Sequence, residues 1–136
     1  MKTLPTGTVR TFRKTVTPDD LAHFEAGAVH NVYSTFALAR DAEWSGRLLV
    51  LEMKEEGEEG IGTALSIEHL GPAFPGEEVF FQSTLIAINR NEVVSEFTVS
   101  VGDRAVAKGI QKQKVLPVEK ISAAFAKARE GGASPV

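Results

Sequence analysis

A carboxylate and an imidazole occupy positions where the surrounding pattern is apolar. Glu43 falls on a helical seam traced by Phe36, Ala39, Gly46, Val50 and Met53 at alternating steps of three and four. His69 closes the segment GTALSIEH (62–69), in which strand alternation sets Thr63, Leu65, Ile67 and His69 on one face. A carboxylate withdrawn from water has its charged form disfavoured and gains character as a base or nucleophile. An imidazole beside it is the natural proton acceptor near neutral pH. Each residue also has a plainer reading. Glu43 at the rim of its seam would reach water, or pair with Arg40 or Arg47 one turn away. His69 would be a hydrogen-bonded core residue. Ala39 and Gly46 remove bulk on either side of Glu43, which is what a small cavity beside that acid requires. His23 and His30 precede the helix in an irregular region, and three scattered histidines show no metal-ligand spacing.

The elements that must carry these groups follow from propensity and punctuation. TVRTFRKTVT (8–17) mixes β-branched and charged residues in the manner of an edge strand. Thr17-Pro18-Asp19-Asp20 is a brief helix start, with a hydroxyl cap, proline in the first turn and acids at the positive end of the dipole. The run 32–57 lacks proline and is rich in Ala, Leu, Glu and Arg, which predicts one long helix ending near Gly57. Three apolar runs follow, 77–88, 92–101 and 104–116, separated by Asn89-Arg90-Asn91 and Gly102-Asp103. With the 61–69 strand they predict an antiparallel meander. VEKISAAFAKARE (118–130) reads as an amphipathic helix and GGASPV (131–136) as a loose tail. The class is α+β, a long helix on one face of an antiparallel sheet, and such a sheet keeps free edges that a second copy would cover.

Composition narrows the function. The 136 residues, 43% of them apolar, suit a single domain spanning 1–136. With 15 Lys and Arg against 18 Asp and Glu the formal charge is −3, which offers no footprint for nucleic acid or an anionic membrane. There is no cysteine, so disulfides, thiolate metal sites and cysteine nucleophiles are excluded together. The amino end lacks the apolar segment of a signal peptide and no stretch is long enough to span a bilayer, so a cytoplasmic location is expected.

VYSTFALARDAEW, followed after a Glu-Gly-rich hinge by GIGTALSIEHLGPAFPGEEV, resembles the fluoroacetyl-CoA thioesterase-like family of hotdog-fold thioesterases. The matching positions are Thr35, Glu43, Gly62 and His69. The resemblance implies a hotdog fold, a long helix wrapped by an antiparallel sheet that dimerises through the sheet, as a homodimer or a dimer of dimers. It implies hydrolysis of a short-chain acyl-CoA to free acid and CoA by Thr35, Glu43 and His69, with no metal or organic cofactor. In that scheme Glu43 attacks the carbonyl or activates water, His69 is the general base, Thr35 orients water or carbonyl, and the Gly62 amide faces the oxyanion. Eight residues of straight helix would separate Thr35 from Glu43 by roughly 12 Å, so either the chain bends between them or the two act with opposite protomers, and a site at the dimer interface is the favoured expectation.

Two departures bear on the acyl group. AGAVHNVYST brings no phenylalanine just ahead of Thr35, and Gln113 stands where the fluoroacetyl-preferring branch has arginine. A broader or different short-chain preference is expected. Lys108, Lys112, Lys114 and Arg90 are candidates for the CoA phosphates, or simply a solvated face that discourages aggregation. The rival function is a non-catalytic hotdog dimer that binds acyl-CoA or another small ligand. A dehydratase is disfavoured, since no second histidine-aspartate pair lies near the site.

Overall fold

The computed structural model describes residues 1–131, so all but the first residue of the expected 131–136 tail lies outside the described residues. Strand β1 (Val9–Thr15) leads through a single 3₁₀ turn (Pro18–Asp20) to a hairpin of β2 (Leu21–Phe24) and β3 (Gly27–Tyr33). Helix α1 (Thr35–Met53) follows, then β4 (Glu58–His69), β5 (Glu78–Asn89), β6 (Glu92–Val101), β7 (Arg104–Pro117) and α2 (Val118–Arg129). The five long strands form one antiparallel sheet in the order β1-β5-β6-β7-β4. Helix α1 lies across it, touching all five strands. This is the α+β hotdog architecture expected from the sequence.

Several expectations need correction. The helix starts three residues later than its propensity suggests, because Ser34 is extended and its hydroxyl accepts the Ala37 N–H at 3.1 Å. It also stops earlier, at Met53: Lys54 is extended, and the Glu58 carboxylate accepts the Glu55 N–H at 2.9 Å in a turn that Gly57 completes with φ +81°. The region before it is not merely irregular. It is a hairpin turning at Gly27 (φ +111°), with register shifts on both sides of Ala22. Strands β5, β6 and β7 form the expected meander, but β4 pairs with β7 on the far edge rather than with β5. Pro72, Pro75 and Gly76 carry the chain between those two places, held by Tyr33 N–H to Ala73 O at 2.8 Å and Val16 N–H to Glu77 O at 2.9 Å.

The buried face of α1 is rotated from the predicted seam. Ala37, Leu38, Asp41, Ala42, Ser45, Gly46, Leu49, Val50 and Met53 are buried, whereas Phe36 is 48% exposed and Glu43 faces solvent. The carboxylate in the apolar stripe is therefore Asp41. Two apolar clusters result. Tyr33, Leu38, Phe81, Phe97 and Val106 anchor one beneath the first half of α1, and Leu49, Val50, Met53, Leu85, Val93 and Val115 form the other beneath its second half. Phe12, stacked edge-on to Trp44 and tilted against Phe81, ties β1 to the helix.

Candidate active site

Helix α1 and edge strand β4 run past one another and present the four candidate residues in two pairs. At the amino end of α1, Thr35 Oγ1 lies 2.9 Å from His69 Nδ1. Thr35 is the first helical residue, so this hydroxyl sits at the positive end of the helix dipole, beside first-turn N–H groups that have no intrahelical acceptor. Two turns on, the Glu43 carboxylate rests on Gly62, where an added Cβ would meet Oε1 at 2.4 Å. Glycine is thus required for close approach rather than for a turn. The pairs are separate: eight helical residues span roughly 12 Å, and the seven strand positions from Gly62 to His69 about 23 Å.

Their surroundings differ. His69 is half-buried, and loss of solvent lowers its pKa from the ordinary value, an effect the nearby Gly71 backbone opposes without cancelling. Its Nε2 is buried and has no hydrogen-bond partner among the described residues, while Nδ1 faces the threonine hydroxyl. A neutral imidazole that keeps its proton on Nε2 can therefore accept from Thr35. Thr35, Glu43 and Gly62 are exposed in the single chain. Of the two readings of Glu43, the single chain shows the plainer one: its carboxylate reaches water rather than a cavity, over the one stretch of β4, residues 62–66, that is exposed on both faces.

What the sequence pattern missed is the scaffolding beneath these pairs. Tyr33, fully buried, donates its phenolic proton to Asp41, which also meets Arg40 Nε at 3.0 Å and Lys14 Nζ at 3.2 Å. Burial and then Asp41 push the Tyr33 hydroxyl far above its ordinary pKa, so it remains a donor. Asp20 is equally buried. Desolvation opposes its ionisation, but the Thr17 N–H, Arg40 and Lys14 hold it well below the usual carboxylate range. Its backbone oxygen accepts the Ser34 N–H at 2.8 Å, so this network fixes the residue next to Thr35. Aromatic cover comes from positions outside the segment just ahead of Thr35: Phe24 on β2 packs edge-on to Phe36 at 5.9 Å between centroids, and His23 does so at 6.2 Å. His30, on β3, is exposed.

The CoA candidates lie elsewhere. Lys108 and Lys112 alternate with Gln111 and so occupy the sheet face turned away from α1; Arg90 is in the β5–β6 turn with φ +61°. Gln113, which stands where the fluoroacetyl-preferring branch has arginine, is 4% exposed on the helix side and donates to Gln111 at 2.9 Å. Among the described residues no group of three or more His, Asp or Glu side chains could hold a metal ion, and no helix is long and apolar enough to cross a membrane.

The family model for fluoroacetyl-CoA-specific thioesterases matches residues 16–119, a span containing both pairs. The chain belongs to this thioesterase family. Among solved structures, a Thermus thermophilus hypothetical protein described as a thioesterase superfamily member is 32% identical, with 96% of each chain covered and a TM-score of 0.92. The fluoroacetyl-CoA thioesterase FlK is 20% identical over 93% of this chain and 98% of its own, with a TM-score of 0.83. A hot-dog-like protein from Thermanaerovibrio acidaminovorans is 23% identical over 91% and 92%, also at 0.83. These last two share the fold. No curated protein matches the sequence.

Proposed function

We propose that the protein hydrolyses short-chain acyl-CoA thioesters to the free acid and CoA, in a homodimer whose two sites each draw residues from both copies. The observation that carries this reading is the Thr35–His69 contact at the head of α1 with Glu43 held two turns away. One copy supplies the hydroxyl and the base. The acid must come from elsewhere.

Edge strand β4 offers the means. The midpoint between Gly62 and His69 falls at Leu65–Ser66, within the stretch exposed on both faces. A two-fold antiparallel pairing of β4 centred there would bring Gly62 and its overlying Glu43 from one copy opposite the Thr35–His69 pair of the other. Water would be excluded from Glu43 at the same time.

In the assembled site the thioester carbonyl is polarised by the Gly62 amide and the positive end of α1. Glu43 either holds the water that attacks the carbonyl carbon, or attacks it directly and expels the CoA thiolate, the resulting mixed anhydride then being hydrolysed by water to free the acid and restore the carboxylate. In either course the attacking water gives a proton to Thr35 Oγ1 as Thr35 passes its own to His69 Nδ1, and the CoA thiolate released when the C–S bond breaks takes up the proton from His69. Thr35 fixes the imidazole and orients the oxygen. This chemistry needs neither a metal nor an organic cofactor. Phe24 and Phe36 form the acyl wall from positions of their own, which favours a short-chain preference other than strict selection for fluorine.

Free-thiol release from acetyl-, propionyl-, butyryl- and fluoroacetyl-CoA tests this, comparing the natural protein with Glu43→Gln and His69→Ala. Release by the natural protein alone supports hydrolysis. Equal, slow release by all three would favour a non-catalytic acyl-CoA-binding dimer.

A further inference from the structure

Strand β7 places two glutamines, Gln111 and Gln113, at consecutive inward positions beneath α1, 2% and 4% exposed. Apolar residues would be the ordinary choice there, since a buried amide must satisfy its hydrogen bonds or destabilise the fold. These are satisfied in a particular way. Gln111 Nε2 donates to the carbonyl oxygens of Ala42 at 3.2 Å and Glu43 at 3.1 Å, and its Oε1 accepts from Gln113 Nε2 at 2.9 Å. Gly46 makes the approach possible: a Cβ there would lie 1.5 Å from Gln111 Nε2. Both helix carbonyls belong to the interior of α1, where each already has an N–H partner four residues on. The helix does not need Gln111 to satisfy them.

The same pair also reaches the other end of Glu43. Its carboxylate rests on Gly62, and Gly62 is the ladder partner of Gln113, immediately before a register shift in β4. Gly60, two residues back, faces Gln113 Oε1, which an added Cβ would meet at 3.2 Å. From Glu43 carbonyl to Gln111, Gln113, Gly62 and back to the Glu43 carboxylate, the contacts close on themselves.

We infer that Gln111, braced by Gln113, is a positioning residue that sets where α1 presents the Glu43 carboxylate over Gly62. The inference rests on the hydrolytic reading above. Gln111→Met keeps length and volume but removes the amide, and it replaces a buried polar group with an apolar one. It also leaves the buried Gln113 Nε2 without its acceptor, so Gln111→Met/Gln113→Met, which removes both amides, is the variant that separates positioning from stability. In the double variant turnover in the thiol-release assay is expected to fall roughly tenfold to a hundredfold, the loss a displacement of about 1 Å can cause, with KM within about twofold and the melting temperature unchanged or raised, whereas Gln111→Met alone shows the fall with a lowered melting temperature. Gln113→Met, which leaves Gln111 on the helix but unbraced, is expected to give a smaller fall in the same direction. A second readout does not depend on turnover. In ¹³C spectra of glutamate-labelled protein, the carboxyl resonance assigned to Glu43 by its absence in Glu43→Gln is expected to move in Gln111→Met, the other glutamates keeping theirs. Natural turnover in the methionine variants, or an unmoved Glu43 resonance, overturns the inference. A moved resonance in a protein that releases no thiol from any acyl-CoA supports the positioning and overturns only the hydrolytic reading.

Discussion

At the scale of single residues, the chemistry depends on which form of His69 prevails near neutral pH. Burial lowers its pKa from the ordinary 6.5, and the Gly71 backbone offsets only part of that. The neutral imidazole, the form that accepts a proton, thus persists into more acidic solution than for a free histidine. As pH falls the unfolded chain takes up this proton first. His69's contribution to stability is therefore present above pH 6.5 and is lost as pH drops from there toward the folded value. For catalysis the consequence is an acid limb of kcat/KM that lies below pH 6.5, with His69→Ala costing roughly a hundredfold or more. A pH–rate profile checks it; a limb at or above the ordinary histidine value would show that His69 is not the base. The residue types in this pair were legible because an imidazole ending an apolar strand face is an anomaly. For Glu43 the sequence left exposure and burial both open. Its true neighbour in the apolar stripe, Asp41, differs by two positions, and a helical period alone does not resolve such a rotation without the Tyr33 hydroxyl that satisfies Asp41.

Among elements, α1 and the strands below it show two glycines that look alike in sequence and act differently. At Gly46 a new Cβ would strike the Gln111 amide at 1.5 Å and Ser95 Oγ at 2.9 Å, inside a buried layer with nowhere to go. At Gly62 it would strike the far end of an exposed, flexible glutamate. Gly46→Ala is accordingly expected to destabilise the protein by about 1–3 kcal/mol, as overpacking does. Gly62→Ala is expected to leave urea unfolding nearly unchanged while thiol release falls roughly tenfold or more through displacement of the carboxylate. Comparable unfolding midpoints for both variants would refute the contrast. Strand identity, the meander and the terminal helix could be read from alternation and turn residues, because those signals are local. The β2–β3 hairpin could not: its register shifts beside Ala22 erase the alternation by which strands are recognised. Nor could the pairing of β4 with β7, which depends on where the proline-containing connection crosses.

For the molecule as a whole, the decisive fact is that one copy holds its candidate residues in two places rather than one. Edge strand β4 ends at His69, carries Gly62 near its other side and is bare on both faces between them, with Leu65 40% exposed. An unpaired edge of this length invites aggregation unless something covers it, and the second copy proposed above would cover it while joining the separated pairs. That arrangement makes a prediction that a site within one chain does not share. Glu43→Gln and His69→Ala proteins, each inactive alone, are mixed in equal amounts, unfolded together and refolded so that dimers re-form at random. About half the dimers are then mixed, and in each mixed dimer one of the two sites unites an intact Glu43 with an intact Thr35–His69 pair, so about a quarter of natural activity returns. A site built from a single chain gives no recovery, because every chain in the mixture lacks one of its own residues. Thiol release from the refolded mixture, read beside the two variants refolded separately, decides between these arrangements.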